Sequence, residues 1–157
     1  MTDEKKKEYT RRISQANKSG LVVILYELFF EYTNEAEQLF SQNDKKGFSK
    51  AIFRAHDCLN ELIASLNMEM ELAGNLLQIY MFISGQLGYA NGKKDAAPLK
   101  DVNRLMKKLY ETYKKDSEND TSLPVMQSAQ VVYAGLTYGK DDINESYMKD
   151  GNRGFLA

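Results

Sequence analysis

Apolar residues recur every three or four positions in four stretches of the chain, and polar breaks separate them. The first stripe is Leu21, Leu25, Leu28, Tyr32, Ala36 and Leu39, which predicts a helix starting near Asn17 or Ser19 and running to about Gln42. Either starting residue can cap exposed amide groups. The polar turn at residues 43–47 ends it, and a second stripe follows as Phe48, Ala51, Ile52, Ala55, Leu59, Leu62, Ile63 and Leu66. Asn67 then interrupts as a candidate cap for a third helix, with Glu69 and Glu71 suited to its positive end. That helix carries Leu72, Leu76, Ile79, Ile83, Leu87 and Ala90 and stops in left-handed fashion over residues 91–94. Pro98 suits a first turn, and Leu99, Val102, Leu105, Met106, Leu109 and Tyr113 form the fourth stripe. No strand-like alternation competes. The pattern predicts an all-α antiparallel up-down four-helix bundle.

The flanks are read differently. Residues 1–16 form a mobile or groove-capping N-terminal segment, residues 17–115 the bundle, and residues 116–157 a C-terminal extension. The stretch from Lys114 to Thr121 is polar and reads as a linker. Val125, Ala129, Val132, Tyr133 and Leu136 keep helical spacing, which suits a short fifth helix, although the Val131-Val132-Tyr133 run leaves a strand open. From Gly139 the chain is charged and Gly-rich, as expected of a mobile tail.

Composition narrows the class. At 157 residues the chain makes about one domain, with 43% hydrophobic and 27% charged residues, near globular averages. Its 21 Lys and Arg balance 22 Asp and Glu, which argues against a long-range attraction to nucleic acid. The cluster of Lys5, Lys6, Lys7, Arg11 and Arg12 reads as a solvated terminus. Charge follows Met1 where a secretory signal would be apolar. The longest apolar run, Leu21 to Phe30, is broken by Glu27 and falls far short of the ~20 residues that cross a bilayer. A single cysteine, Cys58, allows no intramolecular disulfide and fits a reducing compartment. The expectation is a cytoplasmic protein without membrane insertion.

Two helices are more apolar than a bundle requires, since a core-facing helix needs about three apolar positions in seven. Val22, Val23, Phe29 and Phe30 lie off the first stripe, and Met68, Met70, Leu77, Tyr80, Met81 and Phe82 off the third. Such surface must be covered by the chain itself, by a second copy or by a ligand chain. Methionine suits a groove that accepts a helical peptide, and equally fills gaps in a core.

Catalytic constellations are absent from the sequence. A di-iron bundle needs two Glu-x-x-His pairs, whereas His56 is the only histidine and Phe53 precedes it by three. His56 and Cys58 lie two apart, so they occupy different sides of a helix and make neither a zinc site nor a nucleophile–base pair. No glycine-rich phosphate cradle occurs. Glu27, Glu31 and Glu35 step along one face and read as solvated. The expectation is a binding protein with no cofactor and no metal, not an enzyme.

Two stretches resemble the flagellin export chaperone family, FliS. Residues 15–27, reading Gln-Ala-Asn-Lys-Ser-Gly-Leu-Val-Val-Ile-Leu-Tyr-Glu, are similar to the family's opening turn and Leu-Tyr-Asp motif. Leu66-Asn67-Met68-Glu69, continuing through Asn75-Leu76, Tyr80 and Leu87 to Ala90-Asn91, resembles its third helix. Leu109 to Tyr113 sits where the family often ends its fourth helix with Leu-x-x-x-Trp. The chain departs in lacking a proline near Lys18 and paired glycines after Glu69, and in having Tyr113 for Trp. The resemblance implies a cytoplasmic chaperone that binds the C-terminal segment of flagellin in apolar grooves and prevents premature polymerisation. It implies groove candidates at Leu21, Ile24, Leu25, Tyr26, Asn75, Leu76, Ile79, Tyr80 and Leu87, with Tyr9 and Ile13 capping or lining a groove. A flagellar anti-sigma factor or an export-gate component is a further candidate partner. The alternative is a dimeric adaptor of the flagellar system without chaperone activity. Val125 to Leu136 is also a candidate competitor for the groove, less favoured than a fixed fifth helix.

Overall fold

The computed structural model describes residues 1–125, and the regular structure among them is helical. Five helices follow in order: α1 (Asp3–Gln15), α2 (Lys18–Ser41), α3 (Lys45–Ala64), α4 (Ala73–Lys93) and α5 (Ala97–Glu118). α2 packs on α3, α3 on α4, α4 on α5, and α5 back on α2, closing a ring of four. The α2–α3 and α4–α5 joins occupy only residues 42–44 and 94–96, so sequence neighbours run antiparallel. This is the up-down bundle expected from the periodicity. The helix additional to it precedes the bundle, where α1 packs on α2.

Local chemistry sets the ends. Asn17 caps α2 by accepting the Gly20 N–H at 2.9 Å, and Asp44 caps α3 by accepting the Gly47 N–H at 2.9 Å. Each cap is worth about 1 kcal/mol. Gly47 is needed there, because a Cβ would sit 2.5 Å from the Asp44 carboxylate. At the far end of α4 the left-handed residue is Lys94, with φ 50°. Its ammonium holds that turn by donating to Ser49 Oγ at 2.6 Å and to the Asn91 carbonyl at 2.8 Å.

Three boundaries differ from the sequence expectation, each for a local reason. Asn67 does not cap α4: its side chain accepts the Glu69 N–H at 3.1 Å in a turn of its own, and α4 starts at Ala73. Leu72 therefore lies just outside the helix and is 70% exposed. α5 continues through the expected linker to Glu118, because Lys114, Lys115 and Glu118 favour helix without leaving an apolar stripe to reveal it. α1 forms where no bundle helix was expected. Thr2 accepts the Lys5 N–H at 3.3 Å, Asp3 and Glu4 occupy the first turn, and Arg12 the last. Residues 126–157, holding most of the expected fifth helix and the tail, lie outside the described residues.

The core runs the length of the ring. Tyr26, Leu28, Phe29, Tyr32, Phe48, Leu59, Leu62, Ile83, Leu87 and Leu99 are all essentially fully buried. Each such side chain contributes roughly 1.5–3 kcal/mol against exposure. Thr33 is the buried polar residue, and it bonds Asn103 of α5 at 2.9 Å.

Candidate protein-binding surfaces

The amphipathic α1 lies antiparallel to α2 and covers one face of it. Arg12 pairs with Glu27, Lys5 with Glu31 at 2.9 Å, and the Met1 amino group with Glu35 at 3.6 Å. As the α1 number falls, the α2 number rises one turn at a time. Glu27, Glu31 and Glu35 are thus not a solvated face, because Glu27 and Glu31 each receive a cation from α1 and Glu35 the Met1 amino group just before it. The basic N-terminal residues spend part of their charge there. Tyr9 and Ile13, one turn apart, insert between the helices at 8% and 1% exposure.

Glu27 is the hub of this contact. Besides Arg12 it accepts the Tyr110 hydroxyl of α5 at 2.9 Å. Arg12 also lies over the Tyr9 ring, 5.5 Å from its centroid. Burial, then the Glu27 hydrogen bond, pushes the Tyr110 phenol up to about 12. Tyr9 is raised too, first by burial and then by the negative field of Glu27 and Glu31. Tyr9 and Ile13, the buried Met1 side chain just ahead of α1 and three partly exposed ion pairs are a small holding force. A free helix of this length is marginal, so α1 belongs to the low-stability end of the fold.

The joint between α1 and α2 is gripped by the chain after α5. The Val125 N–H donates to the Ala16 carbonyl at 2.9 Å. The Asn17 side-chain amide donates to the Asp120 and Ser122 carbonyls at 3.1 and 3.3 Å. Ser19 donates to the Asp120 carboxylate, and hydrogen bonds from Ser122 and Ser19 hold that carboxyl below its ordinary value.

The groove candidates divide by burial. Ile24, Leu25, Tyr26, Tyr80 and Leu87 join Tyr9 and Ile13 in the core. Tyr26 and Tyr80 are hydrogen-bonded through their hydroxyls across the bundle, and the Tyr113 ring lies 5.6 Å from that of Tyr26. Burial raises both phenols, Tyr26 the more. Leu21, Leu76 and Ile79 are half-buried against the core, and Asn75 is exposed.

A second apolar face is open. Met81, Phe82 and Tyr89 of α4 are 57%, 54% and 54% exposed, and Phe53 of α3 is 61% exposed. Met81 and Phe82 already stood out as surplus in the sequence. Phe53 and Tyr89 did not, although both lie off the apolar stripes of their helices. Gly85, Gly88 and Gly92, spaced three and four apart, share a stripe with Met81, and among the described residues a Cβ at any of the three glycines would meet no neighbour within 4 Å. Each costs its helix about 1 kcal/mol relative to alanine, with no internal crowding to require it. His56 closes the α3–α4 seam by bonding Ser84 Oγ at 2.7 Å, while Cys58 is fully buried and its thiol is pushed up by desolvation. Among the described residues no cluster of His, Cys, Asp or Glu could hold a metal, and no helix is long and apolar enough to cross a membrane.

A bundle that seats its own amphipathic helix on one face and leaves another apolar face open defines a scaffold for holding protein chains. Residues 1–120 match the family model described as flagellar protein FliS, and the chain belongs to the FliS family of flagellar export chaperones, which serve flagellum assembly and protein secretion. A search of curated proteins found no match. The family match takes in α1 and all four bundle helices and ends as the strap after α5 begins.

Proposed function

We propose that this protein binds the C-terminal segment of flagellin in the cytoplasm, holds it as helix in apolar grooves, and so keeps it from polymerising before export. The role is binding, with no catalytic step. The observation that carries this reading is α1: the bundle accommodates an amphipathic helix on its outer face, using two apolar anchors one turn apart and a row of carboxylates. A client helix of like pattern fits the same seat, in the helix-in-groove mode.

The candidate residues then take graded roles. Leu21, Leu76 and Ile79 are partly exposed and accept contact without rearrangement. Ile24 is buried one turn from Glu27, the partner of Arg12, and joins the seat as α1 lifts. Tyr9 and Ile13 act as the resident plug. Exchange of α1 for client costs little net apolar exposure, and it lowers apparent affinity by the fraction of time the seat is free. A disordered client gives up ordering entropy on binding, which keeps a large contact reversible.

Calorimetric titration of the protein with a peptide spanning the C-terminal segment of its own organism's flagellin tests the proposal. Micromolar or tighter binding with a negative heat-capacity change is expected. Absence of heat at several temperatures would overturn it and favour the dimeric adaptor.

A further inference from the structure

The open face of α4 matches itself. From residue 72 to residue 92 the chain carries no charged side chain, one of the longest such runs in the sequence. The exposed part of that stretch sets bulk beside hollows: Met81, Phe82 and Tyr89 project, while Gly85, Gly88 and Gly92 leave open space above the helix. If two copies of α4 cross antiparallel about Gly85, Met81 faces Tyr89 of the second copy and Phe82 faces its Gly88. Gly85 meets Gly85, where two backbones can approach closely. Every bulky group then lies opposite a hollow or, for Met81 and Tyr89, opposite a thioether–aromatic partner.

Charge supports the same occupant. A two-fold interface sets each residue's patch against its own copy, so any charge near the axis repels itself; α4 contributes none between residues 72 and 92. Depletion of charge with enrichment in aromatic residues and methionine is the composition of an interface centre. The four half-exposed side chains, Phe53 included, present roughly 400 Å² of apolar surface, about half of one side of a standard interface. That area suits a reversible contact.

We propose that the α4 face is a homodimer interface, with two copies of this chain packed antiparallel around Gly85. It does not depend on the flagellin reading, because it uses Met81, Phe82, Gly85 and Tyr89 and none of the client candidates, Leu76 and Ile79 of the same helix included. The test is the mass of the full-length chain across a concentration series by sedimentation equilibrium, with the variants Gly85→Glu and Gly85→Lys. A Cβ at residue 85 meets no described neighbour, and far-ultraviolet circular dichroism matching wild type checks that both variants fold. Each alone should weaken dimerisation at least tenfold or so by placing like charges in contact, and an equimolar mixture of the two should recover it. A wild-type chain monomeric throughout, a Gly85→Glu chain that dimerises as well as wild type, or a mixture without recovery would each overturn the proposal. Peroxide oxidation of Met81 identifies the occupant, with buried Met106 reporting an intact fold. Protection that grows with concentration supports a second copy. Protection at all dilutions points to the chain's own residues 126–157, protection only with flagellin peptide points to client, and no protection means an uncovered face; each of these three overturns it.

Discussion

Two helices of this bundle, α2 and α4, carry apolar residues on more sides than a four-helix core can use, and the chain treats them in opposite ways. On α2 the surplus is covered: α5 packs Tyr110 on Phe30 at 5.7 Å between ring centroids, and α1 seats Tyr9 and Ile13 beneath a row of ion pairs. On α4 Tyr80 turns into the core, but Met81 and Phe82 stay open, about half exposed beside a glycine stripe. The covered face has carboxylates every turn, and a directional set of charges fixes which helix lies there and which way it runs. The α4 part of the open face has no charges, so shape and apolar contact mostly select what settles on it. Apolar surplus shows that something must bind; the charges around it decide whether the chain can supply its own occupant.

Alkali should produce the largest effect and act only through the covered side. Tyr9, Tyr26, Tyr80 and Tyr110 all have folded phenols raised above the ordinary value of 10.0. A raised folded value means the stability is fully present below pH 10 and is lost as pH rises through the folded values, of which Tyr110 at about 12 is the lowest of the four. Helical circular dichroism and tyrosinate absorbance should therefore change together above pH 10. Full ionisation of these tyrosines with helicity intact would contradict their burial.

Large-to-small substitution separates the two faces next. Phe29→Ala removes a fully buried ring and should cost about 3–5 kcal/mol. Phe82→Ala removes a ring 54% exposed and should cost under about 1 kcal/mol in dilute solution. Urea unfolding measures both. Equal costs would mean that the α4 face is covered within one chain.

Smaller still is the loss of the hub. Glu27→Ala removes the partner of Arg12 and Tyr110 together and should cost about 1–2 kcal/mol. Glu31→Ala, whose partner Lys5 is half exposed, should cost under about 0.5 kcal/mol. Hydrogen exchange should quicken across α1 in the first variant far more than in the second. One effect has the opposite sign: Gly88→Ala should raise monomer stability by a few tenths of a kcal/mol, up to about 1 kcal/mol, since no described atom stands where its methyl would go. A loss there would reveal an intramolecular contact on that stripe.

The bundle was legible because burial repeats with the helical period, and stripes such as Phe48, Ala51, Ile52, Ala55, Leu59 and Leu62 have little other use. α1 was not, because its inner face has only two buried anchors, Tyr9 and Ile13, amid charge. The pairing of Glu27, Glu31 and Glu35 was hidden for a related reason: spacing shows that three residues share a face, not what faces them. A matching row of cations at Met1, Lys5 and Arg12 was the available signal. The end of α5 escaped notice because exposed Lys and Glu support helix and linker alike. Of the groove candidates, sequence placed Tyr26 and Tyr80 on the right helices but could not reveal that their hydroxyls would meet inside the core.

The central claim is that the seat of α1 is the seat of a client helix, and hydrogen exchange across α1 with and without saturating flagellin C-terminal peptide tests it most directly. The account predicts that peptide speeds exchange over Asp3–Gln15 while the α2 row from Ile24 to Glu35 stays protected. Unchanged or slower exchange in α1 with peptide bound would contradict it, and would place the client elsewhere on the bundle.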